Sequence, residues 1–291
     1  MEHQNKSNLI FSNYCACFID LLGQKNSLAD QNLVPTDEDT QAQLDFERIA
    51  KESIGAILRL QRYAEIFRNK PNSSLFDISK LEPEQLELYR KMSSAKPKQQ
   101  RWSDGLVYYH TLQGEQNNCP ISAVYEIFAL AGALCLFSLS TGYPIRGAIE
   151  ISWGVELHDN ELYGAIVANS YILESEVAKY PRIVIGEHTV RYLTGHLTAV
   201  PESKIDIYNQ SMTRLCLDLI ASDTDGNYIL DYLGKNFRHQ ITQDEAPNLF
   251  REAFSYATSQ LALHQKNKNE KLVLRYEWLL EYFEFNREHN L

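Results

Sequence analysis

Apolar positions along the chain fall into short unbroken runs that alternate with longer stepped faces, and the two patterns predict strands and helices respectively. The first run, Tyr14–Leu22, is bounded by Gly23 and reads as a buried strand. After a polar stretch over 24–43, Phe46, Ile49, Ile57, Leu60, Ala64 and Phe67 share one face at steps of three and four, with Ser53 the single polar interruption. That spacing predicts a helix near 44–68. Residues 69–99, rich in Lys, Pro, Ser and Glu, predict a short helix between exposed loops. In RWSDGLVYYHTL, residues 101–112, Asp104-Gly105 lies between two strand-like runs and predicts a hairpin.

Pro120 opens a strongly apolar helix over 121–140, and Gly142 stands at its C-cap. A strand over 144–157, a turn at 158–161, a helix over 165–179 after Gly164 and a strand over 182–186 come next. Beyond residue 200 the pattern continues through IDIYNQ and LCLDLIASDTDGNYILDYLG. It ends in two helices near 244–264 and 271–285, joined by the charged segment 264–271. The alternation of strand, helix, hairpin, helix, strand, helix, strand predicts an α/β fold, a mixed sheet covered by helices.

Composition narrows the function classes. With 291 residues, 44% of them hydrophobic, the chain suits one large domain or a domain with an appendage. A net charge of -10 argues against a broad basic surface for nucleic acid or an anionic membrane, and leaves room for a local basic pocket. Five cysteines without a CxxC pair, mostly inside apolar segments, suit reduced thiols in a cytoplasmic protein. The polar start Met1–Asn8 and the interruptions at Asn13 and Asp20 predict no signal peptide. The window 121–139 approaches the length of a membrane span, but Glu126, its small residues and the lack of basic flanks predict a buried helix without membrane insertion.

Asp20 closes the first strand, where an unpaired buried charge costs several kcal/mol. Either a cation meets it, or it caps the next element of the chain. Asp104 also sits where a strand meets a turn. Two such carboxylates, if neighbours, can hold a pair of divalent ions for phosphoryl chemistry. The ordinary alternative for Asp104 is backbone tolerance at a turn.

FIDLLG at 18–23, SDG at 103–105, IRGAIEISWG at 145–154 and ELYGAIVANSYILESEVAKYPRIVI at 161–185 together resemble the catalytic domain of the class III nucleotidyl cyclases. The particular form, with a later DTDG and LDYL at 223–233, is most similar to the pyrimidine nucleotide cyclases of bacterial Pycsar anti-phage systems. YEWLLEY at 276–282 resembles that group's C-terminal helix. The resemblance implies an α+β sandwich with a mainly antiparallel sheet. It places a catalytic domain over 12–235 and a C-terminal helical extension over 236–291. It implies Mn²⁺ or Mg²⁺ on Asp20, Asp104 and the carbonyl of Leu21, with the peptide groups of Leu21, Leu22 and Gly23 around the triphosphate. Gln100 and Glu161 match the base-reading positions and depart from the Lys and Asp of adenylate cyclases.

A second departure concerns the helix after Gly164. Familiar cyclases keep an Asn and an Arg there, four residues apart; this chain has Ala168 and Ile172, with Asn169 adjacent to the first. Arg146, Lys179 and Arg182 are the candidates for the positive charge that phosphoryl transfer needs. Arg182 could equally make a structural salt bridge, and Arg146 could close a hairpin. The expected activity is cyclisation of UTP, or alternatively CTP, to the 3′,5′-cyclic monophosphate and pyrophosphate. Expected too are a homodimer with sites at its interface and a separate effector that senses the product. A catalytically inactive nucleotide-binding or dimerisation module and a metal-dependent phosphohydrolase are the competing readings. Scattered histidines predict no zinc site, and SDTDGN at 222–227 lacks the full calcium-loop spacing and reads as a tight turn.

Overall fold

The computed structural model describes residues 9–22, 34–36, 40–69, 83, 96–102, 105–113, 119–242 and 247–286. Strand β1 (Phe11–Leu21) lies at the middle of the sheet because both of its faces are apolar. Cys15, Cys17, Ile19 and Leu21 join the main core, while Tyr14, Ala16 and Phe18 join a second cluster on the opposite face. This is the period-2 alternation of a strand covered on both sides.

Helix α1 (Thr40–Asn69) starts four residues before the predicted helix. Strands β2 (Lys98–Trp102) and β3 (Gly105–Thr111) form the predicted hairpin, with Trp102 paired to Gly105. Gly105 therefore already belongs to the ladder, and residues 103–104, with Asp104 of the expected turn, lie outside the described residues. Helix α2 (Pro120–Ser140) ends in a paired cap: Gly142, at φ +84°, donates to Leu139 O and Tyr143 donates to Ser138 O. The left-handed residue there is the Gly expected at a helix C-terminus.

The long β4 (Ile145–His158) pairs antiparallel with β1 over eleven residues. The unit β1-α1-β2-β3-α2-β4 thus lies in the spatial order β2-β3-β1-β4, every pair antiparallel, a split βαβ arrangement. A bulge between Glu156 and His158 turns β4 into the short β5 (Glu161–Tyr163). On the edge of β4 away from β1, β6 (Ile183–Ile185) adds parallel to β4, followed by β8 (Tyr228–Leu230) and β7 (Ile220–Ser222). The sheet is mixed and mainly antiparallel, with helices packed around it, an α+β fold.

Helix α3 (Ala165–Ile172) stops short of the predicted 179 and passes into a π-turn over Leu173–Val177, closed by Ala178 N–H donating to Leu173 O at 2.9 Å. Helix α4 (Glu187–Thr198) has no counterpart among the elements predicted from the sequence. Helix α5 (Lys204–Leu217) absorbs IDIYNQ, because Ser203 at its N-cap and Asp206 in its first turn form a reciprocal capping box. SDTDGN is the β7–β8 turn, with Gly226 at φ +82°.

A short helix α6 (Lys235–Phe237) and a π-turn (Arg238–Thr242) lead to α7 (Pro247–Lys266) and α8 (Glu270–Phe285). Phe250, Ala253 and Ala257 of α7, with Leu279 and Phe283 of α8, belong to the same apolar cluster as the sheet. Gly132 of α2 lets the Phe237 ring lie against the helix backbone; a Cβ there would overlap the ring. Among the described residues α2 is the one helix long and apolar enough to cross a membrane, and 78% of its most apolar window is buried inside the protein.

Candidate functional site

Asp20 and Arg146 are register partners at the end of the β1–β4 ladder. By strand alternation both side chains leave the same face as Phe18 and Ala148. Arg146 donates from Nη2 to Asp20 Oδ2 at 3.2 Å, and its Nε lies 2.6 Å from Glu174 Oε1. Asp20, Arg146 and Glu174 are all largely enclosed, with side-chain exposures of 8%, 14% and 1%. The π-turn places Glu174 there. The widened turn rotates a residue of the LESEV segment inward, toward the guanidinium at the neighbouring strand end. Among the described residues, the buried Asp20 charge meets a guanidinium that it shares with a second acid.

The hairpin lies on the other side of Asp20. Ile19 pairs with Leu106, and the Gly105 Cα side packs against the Ile19 carbonyl, where an added Cβ would sit 3.3 Å from that oxygen. Phe18 contacts Trp102 and Tyr171 edge-on at 5.8 and 5.5 Å, so rings from the hairpin and from α3 pack on the strand face that also bears Asp20. Asp104 and Gly23 lie outside the described residues.

Farther along the same hairpin, Gln100 accepts the Leu162 N–H through Oε1 at 2.9 Å. This bond brings Gln100 of β2 beside Glu161 of β5, sixty-one positions away in the chain. A second tie joins β2 to the neighbouring end of β4. Lys98 Nζ lies 2.7 Å from Glu156 Oε1, which also accepts from Tyr109 OH at 2.8 Å and Asn160 N–H at 3.1 Å. Burial opposes ionisation of Glu156, but the bonds from Lys98, Tyr109 and Asn160 outweigh it and lower its pKa. Tyr109, buried and bonded to that carboxylate, is raised in pKa and remains a phenol.

Arg182 requires a correction. It is 1% exposed, ion-paired through Nη1 to Asp223 and through Nη2 to Asp225 at 2.6 Å, and Nη2 also donates to Val177 O at 2.9 Å. The rings of Tyr180 and Trp278 lie 5.1 and 5.8 Å from its guanidinium carbon. Its charge is matched by two carboxylates of the β7–β8 turn, which fixes that turn and α8 to the sheet. It is a structural anchor and not a free cation for phosphate. Glu150, a buried acid that no sequence motif singles out, accepts from Thr189 N–H at 3.1 Å and from its hydroxyl at 3.2 Å at the start of α4. Burial raises its pKa.

Of the remaining expected residues, Ala168 and Ile172 are exposed on α3 and Asn169 is half-buried between them. Leu21 is buried at the end of β1, and Leu22 donates its N–H to Pro144 O at 3.0 Å. The oxygen donors at this strand end, the Asp20 carboxylate and the Leu21 carbonyl, fit a hard cation such as Mg²⁺ or Mn²⁺ in chemistry. Among the described residues no three His, Cys, Asp or Glu side chains form a metal cluster; the expected pair includes Asp104. Sequence reasoning missed Glu174, which shares the LESEV segment with a second acid, Glu176, so that composition does not show which of the two turns inward. Comparison with protein-family models, curated proteins and solved structures returns no match for this chain.

Proposed function

We propose that the protein is a nucleotidyl cyclase of the class III kind, converting a pyrimidine nucleoside triphosphate, UTP ahead of CTP, into its 3′,5′-cyclic monophosphate and pyrophosphate. One observation supports the reading: a single hairpin reaches both the β1 end and the backbone beside Glu161. Its tip, through Gly105, adjoins the β1 end that bears Asp20, and its outer strand, through Gln100, is bonded to the backbone beside Glu161. The acid end would take the phosphates and the Gln100–Glu161 end the base.

Asp20, Asp104 and the Leu21 carbonyl would hold Mn²⁺ or Mg²⁺. When bound, such an ion lowers the pKa of the ribose 3′-hydroxyl and offsets the charge of the α-phosphate. In the reaction the 3′-oxygen forms a bond to the α-phosphorus as the bond to the bridging α–β oxygen breaks. The hydroxyl proton passes to solvent and pyrophosphate leaves. Arg146 stands beside Asp20 and is positioned to balance charge there. At the base end the Gln100 carbonyl is committed to Leu162 N–H, so its amino group is the end that faces a base, next to the acceptor carboxylate of Glu161. A base edge with an acceptor beside a donor, as on uracil, suits that pair.

Exposed Phe11, Trp153 and Tyr163 lie close together, Phe11 and Trp153 at 6.1 Å, and support a second copy of this chain as partner. A cytoplasmic signalling role in anti-phage defence, with a separate effector reading the cyclic product, completes the proposal. The Asp20–Arg146 pair and the exposed Ala168 and Ile172 favour one alternative, a nucleotide-binding module without turnover. Incubating the purified protein with each of four NTPs and Mn²⁺ or Mg²⁺, followed by chromatography, decides between them. One cyclic product plus pyrophosphate supports the cyclase, and no turnover supports the module. Linear monophosphate or inorganic phosphate points to a phosphohydrolase instead.

A further inference from the structure

Arg146 meets its two acids through different nitrogens: Nη2 donates to Asp20 Oδ2 at 3.2 Å, and Nε lies closer, at 2.6 Å, to Glu174 Oε1. The acids come from separate elements. Asp20 ends β1, directly opposite Arg146 in the ladder, whereas Glu174 reaches in from the π-turn at Leu173–Val177. The backbone around Arg146 is fixed on both edges of β4: Arg146 pairs with Asp20 of β1, and the adjacent Gly147 donates its N–H to Arg182 O at 3.0 Å. A change of partner is therefore a motion of the side chain alone. With a divalent ion on it, Asp20 cannot keep the guanidinium at its present distance, because two cations about 4 Å apart repel by several kcal/mol even at an effective dielectric of about 20. The same enclosed acid can hold the arginine or the ion, and Glu174 is the carboxylate that keeps the arginine's charge matched when Asp20 is exchanged.

We propose that Arg146 occupies Asp20 in competition with the divalent ion, and that Glu174 is a positioning residue that draws the guanidinium aside so that Asp20 can exchange one cation for the other. The inference rests on the reading of Asp20 as a cation ligand, and it adds two residues that set the affinity for the ion without touching it. It is tested on the purified full-length protein without nucleotide, by titration with Mn²⁺ followed through the paramagnetic resonance of the free ion. Arg146→Met should bind Mn²⁺ about three- to tenfold more tightly than wild type, and Glu174→Gln about three- to tenfold more weakly. In the Arg146→Met background Glu174→Gln should have no further effect, since Glu174 acts through the arginine. Equal weakening by Glu174→Gln with and without Arg146 would make Glu174 one more negative charge near the ion and overturn the positioning role. Affinity unchanged or lowered in Arg146→Met overturns the competition. Asp20→Asn separates the two ways of failing. If it binds Mn²⁺ as wild type does, the cation reading falls and this inference with it; if it abolishes binding while the Arg146 and Glu174 variants match wild type, the inference alone falls. Should Arg146→Met fail to fold, Glu174→Asp keeps the charge and shortens the reach: weaker Mn²⁺ binding supports the positioning role, and wild-type affinity overturns it.

Discussion

Asp20 and Arg146 face each other across the β1–β4 ladder with their side chains 3.2 Å apart, and Glu174 holds the same guanidinium from the π-turn. The triad makes two demands separable. Removing Asp20 leaves Arg146 still paired with Glu174, so the cost to the fold stays near 1–2 kcal/mol, below the 3–5 kcal/mol of a fully orphaned buried charge. Turnover has no such reserve, because the same carboxylate is a proposed cation ligand worth several kcal/mol in the transition state. Asp20→Ala and Asp104→Ala are therefore each expected to lower cyclic-product formation by about a thousandfold or more, with a cooperative melt retained. Product formed at the wild-type rate by either variant would remove the metal assignment.

Arg182 carries the opposite expectation. Arg182→Met leaves the buried Asp223 carboxylate without its guanidinium, while Asp225 beside it is partly exposed, and the loss, set mainly by Asp223, should be about 3–5 kcal/mol in urea unfolding. Arg182→Lys should recover little of it, since one ammonium cannot reproduce contacts to two carboxylates and the Val177 carbonyl while lying beside two rings. A stable, inactive Arg182→Met protein would contradict the anchoring role and return the residue to the chemistry.

Acid should find the same network. Burial opposes ionisation of Asp225, but hydrogen bonds from Arg182 and Asn227 outweigh it and pull the carboxyl from 3.8 down to about 2. A depressed folded pKa contributes stability that is fully present above the unfolded value and is lost as pH falls through the folded one. The window is thus roughly pH 4 to 2. Asp225→Asn should be less stable than wild type at pH 7, and the gap between the two should close as pH drops across that window in parallel urea titrations. A gap that stays constant would mean the carboxylate is not the group protecting the fold.

What could be read from the sequence was whatever a short window encodes. The β1 run, the hairpin, the α2 helix with its Gly142 cap and the two C-terminal helices each show a local period or a turn residue, and each appears with bounds shifted by a few residues. Helix α4 escaped notice because its start is capped from a distance, by Glu150 of β4. The true end of α3 escaped because a π-turn keeps helical composition while changing the face that residues present. At the site, Asp20 and Arg146 were visible as charges in apolar strands. Their mutual contact is a matter of register between segments 126 positions apart, and the approach of Glu174 depends on the π-turn. Neither leaves a trace in spacing.

Gln100 offers a test in which structure and recognition can be pulled apart. Gln100→Ala removes the acceptor for Leu162 N–H and should cost about 0.5–1.5 kcal/mol, loosening β5 as well as any contact to a base. Gln100→Glu is the more informative change. Its carboxylate still accepts the Leu162 N–H, so the fold should keep its wild-type melting behaviour, but the amino donor is gone and a second negative charge stands near Glu161. If the amino group reads an acceptor on the base, kcat/KM for UTP should fall by up to about tenfold, the worth of one hydrogen bond, while nucleotides presenting a donor there should gain relative to it. An unchanged ranking of the four NTPs in Gln100→Glu would reduce Gln100 to a tie between β2 and β5, and the choice of base would then have to be made by other residues.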